Sequence, residues 1–231
     1  MQKDSNQELK RKAAVKAVEC IESGMVVGIG HGSTAMEALH RLASHLKDGR
    51  LQDIVAVPCS TLMIEESQRL GIPLSTLDEH PVVDLTIDGA DEVDPQLNLI
   101  KGGGGAFLQE KILAEASRRE IIIVDETKLS PTLGVRWAVP VEVIDFGWRS
   151  QADYLESLGA RVRLRRDASG SPIRTDQNNL ILDCNFDPIT DPAALAVRIK
   201  GRAGIVEHGL FLSLASEVIV GCSNGVRRLT K

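Results

Sequence analysis

Met25-Val26-Val27-Gly28-Ile29-Gly30-His31-Gly32-Ser33-Thr34-Ala35 is the stretch that decides the fold. The apolar run from Met25 to Gly30 reads as a buried strand. Glycines then break it, and Ala35, Leu39, Leu42 and Leu46 recur at helical spacing. Ile54 to Val57 supplies the next apolar run. Strand, turn, helix and strand in that order make a βαβ unit, which implies a parallel sheet and an α/β fold.

The turn itself is a candidate phosphate cup. Backbone N–H groups at the start of a helix are unsatisfied and sit at its positive end, so they favour an anion. The glycines let the main chain approach a ligand, and Ser33 and Thr34 add hydroxyl donors. The spacing is not that of a P-loop, which needs Gly-Lys followed by Ser or Thr. A dinucleotide fingerprint would place an acid after the second strand, where Pro58, Cys59 and Ser60 stand. The plainer reading is a tight turn that Ser33 caps.

Farther along, Val82 to Ile87 reads as a strand and runs into Asp88-Gly89-Ala90-Asp91-Glu92-Val93-Asp94. Carboxylates at the carboxyl ends of strands are where an open α/β sheet handles ligands. A solvated acidic turn is the alternative. The three-residue spacing of Asp88, Asp91 and Asp94 does not match a calcium loop. Lys101-Gly102-Gly103-Gly104-Gly105 follows and opens a helix expected from about Ala106 to Arg119. Such a glycine run is either an anion nest or a flexible loop.

On that helix Glu110 has Ala106, Phe107, Leu113 and Ala114 three and four residues away, all apolar. Glu115 instead faces Lys111, Ile112, Arg118 and Arg119. Glu110 is therefore expected to turn inward, where desolvation would suit it to general-base work. Gln109 also has largely apolar neighbours. Lys128 follows the apolar strand Ile121 to Val124 and either joins the same crevice or pairs with a nearby acid at the surface.

Past about Gly134 the pattern changes. Val139 to Ile144 and Arg161 to Leu164 read as strands around a helix from Gln151 to Leu158. Ile173 to Thr175 and Asn179 to Asp183 flank Asp176-Gln177-Asn178 as a hairpin, and a helix from Pro192 to Ile199 follows. Leu210 to Val220 returns to apolar runs that rejoin the first sheet. This order places a smaller α+β domain at 136–207 between two parts, 1–135 and 208–231, of a parallel-sheet main domain.

Bulk properties narrow the classes. A net charge of -5 and 3% aromatic residues disfavour nucleic-acid binding. Accordingly, Arg161 to Arg166 and Arg227 to Arg228 are expected to be solvated faces. No apolar run is long enough to span a bilayer, and Met1 to Lys12 is polar, without the apolar core of a secretory signal, so a cytoplasmic address is expected. Cys20, Cys59, Cys184 and Cys222 are scattered without a C-x-x-C pair, so neither zinc nor disulfides are indicated, and most are expected to be buried.

Together these motifs resemble the ribose-5-phosphate isomerase type A family. The resemblance rests on Gly30-His31-Gly32-Ser33-Thr34-Ala35, Asp88-Gly89-Ala90-Asp91-Glu92, Lys101-Gly102-Gly103-Gly104-Gly105-Ala106, Glu110-Lys111 and Lys128. It continues through Pro140-Val141-Glu142-Val143, Leu182-Asp183-Cys184 and His208-Gly209-Leu210-Phe211, covering nearly the whole chain.

The resemblance implies a Rossmann-like main domain with a smaller α+β, ferredoxin-like domain engaged in the contacts of a homodimer or homotetramer. It also implies interconversion of D-ribose 5-phosphate and D-ribulose 5-phosphate through an enediolate, a step of the non-oxidative pentose phosphate pathway, with no metal or other cofactor. Glu110 matches the proton acceptor, and Asp88, Asp91 and Lys101 its catalytic companions. His31, Gly32, Ser33, Thr34, Asp88, Gly89, Ala90, Asp91, Lys101, Gly102, Gly103, Gly104 and Lys128 match substrate-binding positions. Lys10 matches a lysine near the substrate phosphate. The family usually carries Thr at the position of His31, whose expected contribution is its backbone N–H. The rival readings are a relative acting on another sugar phosphate and a non-catalytic sugar-phosphate sensor, which would not need Glu110 and Asp88 together.

Overall fold

Parallel pairing of buried, largely β-branched segments builds the larger sheet. Numbered along the chain, β1 (Val26–Ile29), β2 (Val55–Pro58), β3 (Leu85–Asp88), β6 (Glu120–Asp125) and β12 (Glu217–Cys222) all run parallel. The antiparallel β13 (Gly225–Thr230) closes one edge, in the order β13-β12-β6-β3-β1-β2. Every residue of β6 is buried, as a central strand covered on both faces requires. The computed structural model describes residues 2–231, with side chains from Asn6 onward; Met1, part of the polar stretch Met1 to Lys12, lies outside the described residues. None of the described helices is long and apolar enough to cross a membrane.

Helices α1 (Gln2–Val18) and α2 (Ser33–Lys47) bury Ala13, Ala14, Ala17, Leu39 and Leu42 in a core with Leu85, Ile87, Ile121, Ile123 and Ile219 of the strands. Gly221 lets α1 lie directly on β12, since a Cβ there would stand 2.0 Å from the carbonyl oxygen of Leu9. Ser60 caps α3 (Thr61–Arg69) by accepting the Met63 N–H at 3.3 Å. A smaller cluster of Val57, Cys59, Val83 and Leu113 involves α4 (Phe107–Glu115). These segments, up to Ala90 with Gln109–Leu129 and Ser213–Lys231, form one compact unit.

A second unit, Asp91–Leu108 with Ser130–Leu212, holds two antiparallel sheets. Strands β4 (Glu92–Val93), β5 (Leu99–Ile100) and β11 (Leu210–Phe211) form the smaller one, in the order β11-β5-β4. The other follows the chain as β7 (Val139–Val143), α5 (Trp148–Ser157), β8 (Arg161–Leu164), β9 (Leu180–Asn185), α6 (Pro192–Lys200) and β10 (Ile205–His208). Its order, β10-β7-β9-β8, is the ferredoxin-like arrangement of a β-α-β-β-α-β chain. Val139, Val141, Val143, Leu155, Leu180, Leu182 and Ile199 fill its core. The fold is thus the expected mixed α/β one, with a mostly parallel main sheet and a separate antiparallel sheet.

Three expectations need correction. Helix α4 stops at Glu115 rather than Arg119, because Arg118 N donates to Val83 O at 2.8 Å and Arg119 O accepts from Thr86 N at 2.9 Å, drawing the chain into strand-like pairing. Ser117 Oγ, at 2.6 Å from Leu113 O, competes for the last turn. The hairpin at residues 173–183 reduces to a turn with an isolated bridge from Arg174 to Leu180, since β9 pairs with β7 and β8 instead. Of the four cysteines only Cys59 and Cys184 are buried; Cys20 and Cys222 are half-exposed.

A buried acid marks the second unit. Glu142 is 0% exposed and stands opposite Glu207 across the β7–β10 pair. Its Oε1 accepts from Thr175 Oγ1 at 2.9 Å and Asn179 Nδ2 at 2.8 Å, while Oε2 has no partner among the described residues. Burial raises its pKa above the ordinary glutamate range; the two hydrogen bonds oppose the rise, and the charges of Glu207 and Asp176 add to it. A raised carboxyl pKa favours folding with the proton on. That contribution is complete below the ordinary glutamate pKa and is lost as pH rises through the folded value. Glu142→Gln is therefore expected to flatten the decline in melting temperature as pH rises above the ordinary glutamate range, measured by thermal unfolding at a series of pH values. A parallel decline in variant and wild type would remove this acid as the cause.

Candidate active site

In the first unit the carboxyl ends of β1, β3 and β6, three neighbours in the sheet, carry the candidate residues. Asp88 ends β3 with 0% exposure. Its Oδ1 accepts the His31 N–H at 3.1 Å and the Gly89 N–H at 2.6 Å. Donors aimed at a carboxylate are stronger than neutral pairs and offset part of its burial. A Cβ on Gly30 would stand 1.9 Å from the Asp88 Cγ, so only glycine fits there.

Gly32 has φ of 107° and open space around it, so its backbone conformation rather than crowding calls for glycine. It begins α2 without a side-chain cap, which leaves the first amides of the helix without that partner. Ser33 therefore does not act as the cap; its Oγ accepts from Lys10 Nζ at 3.0 Å, tying α1 to the loop. The His31 N–H goes to Asp88, while its Nδ1 shares a hydrogen bond of 2.9 Å with Ser60 Oγ. Sequence reasoning found His31 but not Ser60, whose position before a helix announces only a cap.

Glu110 is 4% exposed in the first turn of α4, while Glu115 is exposed, as the helical spacing predicts. An acid in a first turn also meets the positive end of the helix dipole. Lys128 ends a short 3-10 turn, Glu126–Lys128, after β6; Asp125 starts that turn by accepting the Thr127 N–H at 3.0 Å.

The other candidates lie in the second unit. Asp91 is half-buried; its N–H reaches Ile100 O at 2.9 Å and its Oδ2 accepts the Gly103 N–H at 2.7 Å. Lys101 is 1% exposed, with its N–H on Gly209 O at 2.9 Å and its ammonium 5.4 Å from the centroid of the Phe211 ring, a cation–π contact. Gly102 has φ of 106°, and a Cβ there would meet the Phe107 ring at 2.5 Å. Gly103 and Gly104 are exposed. The glycine run is therefore a pinned loop.

Arg165 completes the pinning, and this corrects the expectation that Arg161 to Arg166 is only a solvated face. Its side chain is 13% exposed; Nη1 donates to Gly102 O at 2.8 Å and Gly103 O at 3.1 Å, and the remaining nitrogens grip Asp183. No spacing signal separates Arg165 from Arg163, which is exposed. Two acids of the motif Asp88 to Asp94 hold local structure. Glu92, 0% exposed, accepts the N–H groups of Gly134, Arg136 and Trp137 at 3.0, 3.2 and 3.1 Å. Asp94 takes those of Gln96 and Asn98 at 2.9 and 2.8 Å, which commits it to a turn.

A model of the family described as ribose 5-phosphate isomerase A (phosphoriboisomerase A) matches residues 55–225. Ribose-5-phosphate isomerase A of Chloroflexus aurantiacus is 56% identical over 230 residues, covering 100% of this chain and 96% of that protein, and so includes the loop at 30–34. A solved D-ribose-5-phosphate isomerase in complex with phospho-erythronic acid is similar at a TM-score of 0.96, with 38% identity and 98% and 99% of the two chains covered. Ribose 5-phosphate isomerase from Plasmodium falciparum matches at a TM-score of 0.94, with 39% identity and coverage of 97% and 99%.

The Gly30–Asp88 approach can be tested without any ligand. Gly30→Ala forces the carboxylate away from the two amides it holds and is expected to cost about 1–3 kcal/mol of stability. At Gly89 a Cβ would meet its nearest atoms at 3.9 Å, so Gly89→Ala is expected to stay within about 0.5 kcal/mol of wild type. Urea unfolding of both variants measures the contrast, and equal midpoints would sink the steric argument.

Proposed function

The chain belongs to the ribose 5-phosphate isomerase A family and interconverts ribose 5-phosphate and ribulose 5-phosphate; on that premise we propose that Glu110 is the base that moves the proton between carbons. The observation that carries this reading is its burial, 4% exposed on a helix whose other acid faces solvent. A carboxylate held out of bulk water has no full hydration shell to shed before it meets a C–H bond.

In the aldose-to-ketose direction Glu110 takes the proton from C2. The electron pair of the C–H bond forms the enediolate, and negative charge gathers on O1. Glu110 then returns the proton to C1, while a second proton passes from O2 to O1. Lys101, with the backbone amides of Gly102, Gly103 and Gly104, stabilises the charge on O1. Asp91 shuttles the proton between the oxygens and assists ring opening, and Asp88 positions the loop that it holds. Gly32, Ser33 and Thr34 receive the phosphate with Lys10 and Lys128, while His31, its N–H on Asp88 rather than on the ligand, shapes their loop; Gly89 and Ala90 line the sugar. The hydrogen moves as a proton within one substrate, so the reaction calls for no redox cofactor; the metal-free reading follows from the family resemblance. The chain works in the cytoplasm as a homodimer or homotetramer. Residues 136–207 form the smaller domain that carries oligomer contacts, and 1–135 with 208–231 form the catalytic one.

Glu110→Gln keeps the shape of the side chain and removes the base. Turnover of ribose 5-phosphate is expected to fall by a factor on the order of 10² to 10⁴ while substrate binding by calorimetry survives. Near-normal kcat in that variant would take Glu110 out of the mechanism. Wild-type turnover is expected to persist in excess EDTA; loss of activity that a divalent ion restores would refute the metal-free reading of Asp88 and Asp91.

A further inference from the structure

The second unit contains a cavity of about 450 Å³ lined by Arg136, Arg161, Arg163 and Arg165, with Trp137 and Asp183. Gly103 of the glycine loop also lines it, and Arg165 holds that loop; the other side chains named here have no part in the chemistry above. Arg161, Arg163 and Arg165 alternate along β8 and its exit, so they share one face of the sheet. Asp183 is directly opposite Arg163 in the pairing of β8 with β9, yet Arg165 holds its carboxylate in a two-nitrogen grip. Arg161 pairs outward with the exposed Asp187 at 2.7 and 2.8 Å. The Arg163 side chain has neither ion pair nor hydrogen bond among the described residues, although it stands between two like charges.

Another stretch of the lining is fixed. The carboxylate of Glu92 holds the main chain of Gly134, Arg136 and Trp137, and the Trp137 residue remains 38% exposed. A row of guanidinium groups on a strand, lining one cavity with an indole on a pinned turn, is a preorganised receptor for oxygen-rich anions. The volume falls in the range of small-ligand sites and exceeds what one phosphate fills. A pocket of this size on a chain of net charge -5 does not suit a nucleic-acid backbone, which needs a long basic face.

We propose that this cavity binds a small molecule with two or more linked phosphates and a planar ring, the phosphates on the arginines and the ring against Trp137. Nucleoside diphosphates have this chemistry. Arg163 is the residue whose charge the ligand answers, and its exposure makes replacement harmless to the fold.

The test is calorimetric titration of the full chain, at fixed ionic strength, with ADP and with inorganic pyrophosphate. Both are expected to bind, with ADP the tighter. Arg163→Ala is expected to weaken each by about tenfold or more, with part of the loss recovered in Arg163→Lys. Isomerase turnover of Arg163→Ala without ligand is expected to equal that of wild type, showing an intact fold. Trp137→Ala removes only the advantage of ADP. Ser33→Ala, in the substrate-phosphate loop, leaves both affinities unchanged, and saturating ribose 5-phosphate does not displace either probe. Absence of binding, equal affinity in Arg163→Ala, or displacement by ribose 5-phosphate overturns the site. ADP binding no tighter than pyrophosphate overturns the ring contact.

Discussion

One close approach organises the first unit: the Asp88 carboxylate occupies the place that a side chain on Gly30 would fill, 1.9 Å from where its Cβ would be. A carboxylate buried at the carboxyl end of a central strand must find donors, and the nearest are the amides of His31 and Gly89. Meeting that demand fixes the turn after β1. The turn in turn fixes where α2 begins, with Gly32 in a left-handed conformation and Ser33 in reach of Lys10. The loop at 30–34 is thus shaped from below by an acid that belongs to a neighbouring strand.

The second unit uses the same device with the roles divided. Its glycine loop has no single buried acid beneath it. Asp91 takes an amide on one side, and Arg165 gives protons to two carbonyls on the other. Glycine is required at 102 by both conformation and crowding, and at 103 a Cβ would meet the Asp91 carboxylate at 2.8 Å and push it off the amide it holds. The entropy lost by ordering such residues is large. Charge-assisted hydrogen bonds at both ends oppose that loss, which is why a run of glycines reads here as a fixed shape.

How much of this the sequence discloses depends on the range of the interaction. The α/β pattern is legible because β6 and its neighbours are continuous apolar runs and α2 has a clean stripe. Glu110 is legible because its surroundings are its own helical neighbours. Helix α1 escapes notice because its buried face is mainly alanine, set among lysines, and the hydrophobic contrast is weak. Arg165 escapes because its partners, Gly102, Gly103 and Asp183, come from distant segments, and the arginines beside it are solvated. The early end of α4 is invisible for the same reason: the strand that competes for Arg118 and Arg119 lies some thirty residues earlier. His31 divides the two cases, since its turn is written locally but its bond to Ser60 is not.

The two aspartates of the acidic motif, equivalent in sequence, are not equivalent physically. Asp88 has no exposed surface, and one of its oxygens already collects two amides. For such a group to exchange a proton with a sugar hydroxyl, the substrate would have to reach its other oxygen, which is also buried. Asp91 is half-buried, so a ligand can reach it, and its bond to Gly103 leaves lone pairs on both oxygens. A proton passed through Asp91 disturbs one amide contact of a loop that Arg165 holds independently. This asymmetry is the physical ground for the proposal that gives proton traffic between the sugar oxygens to Asp91 and leaves Asp88 the architecture of the 30–34 loop.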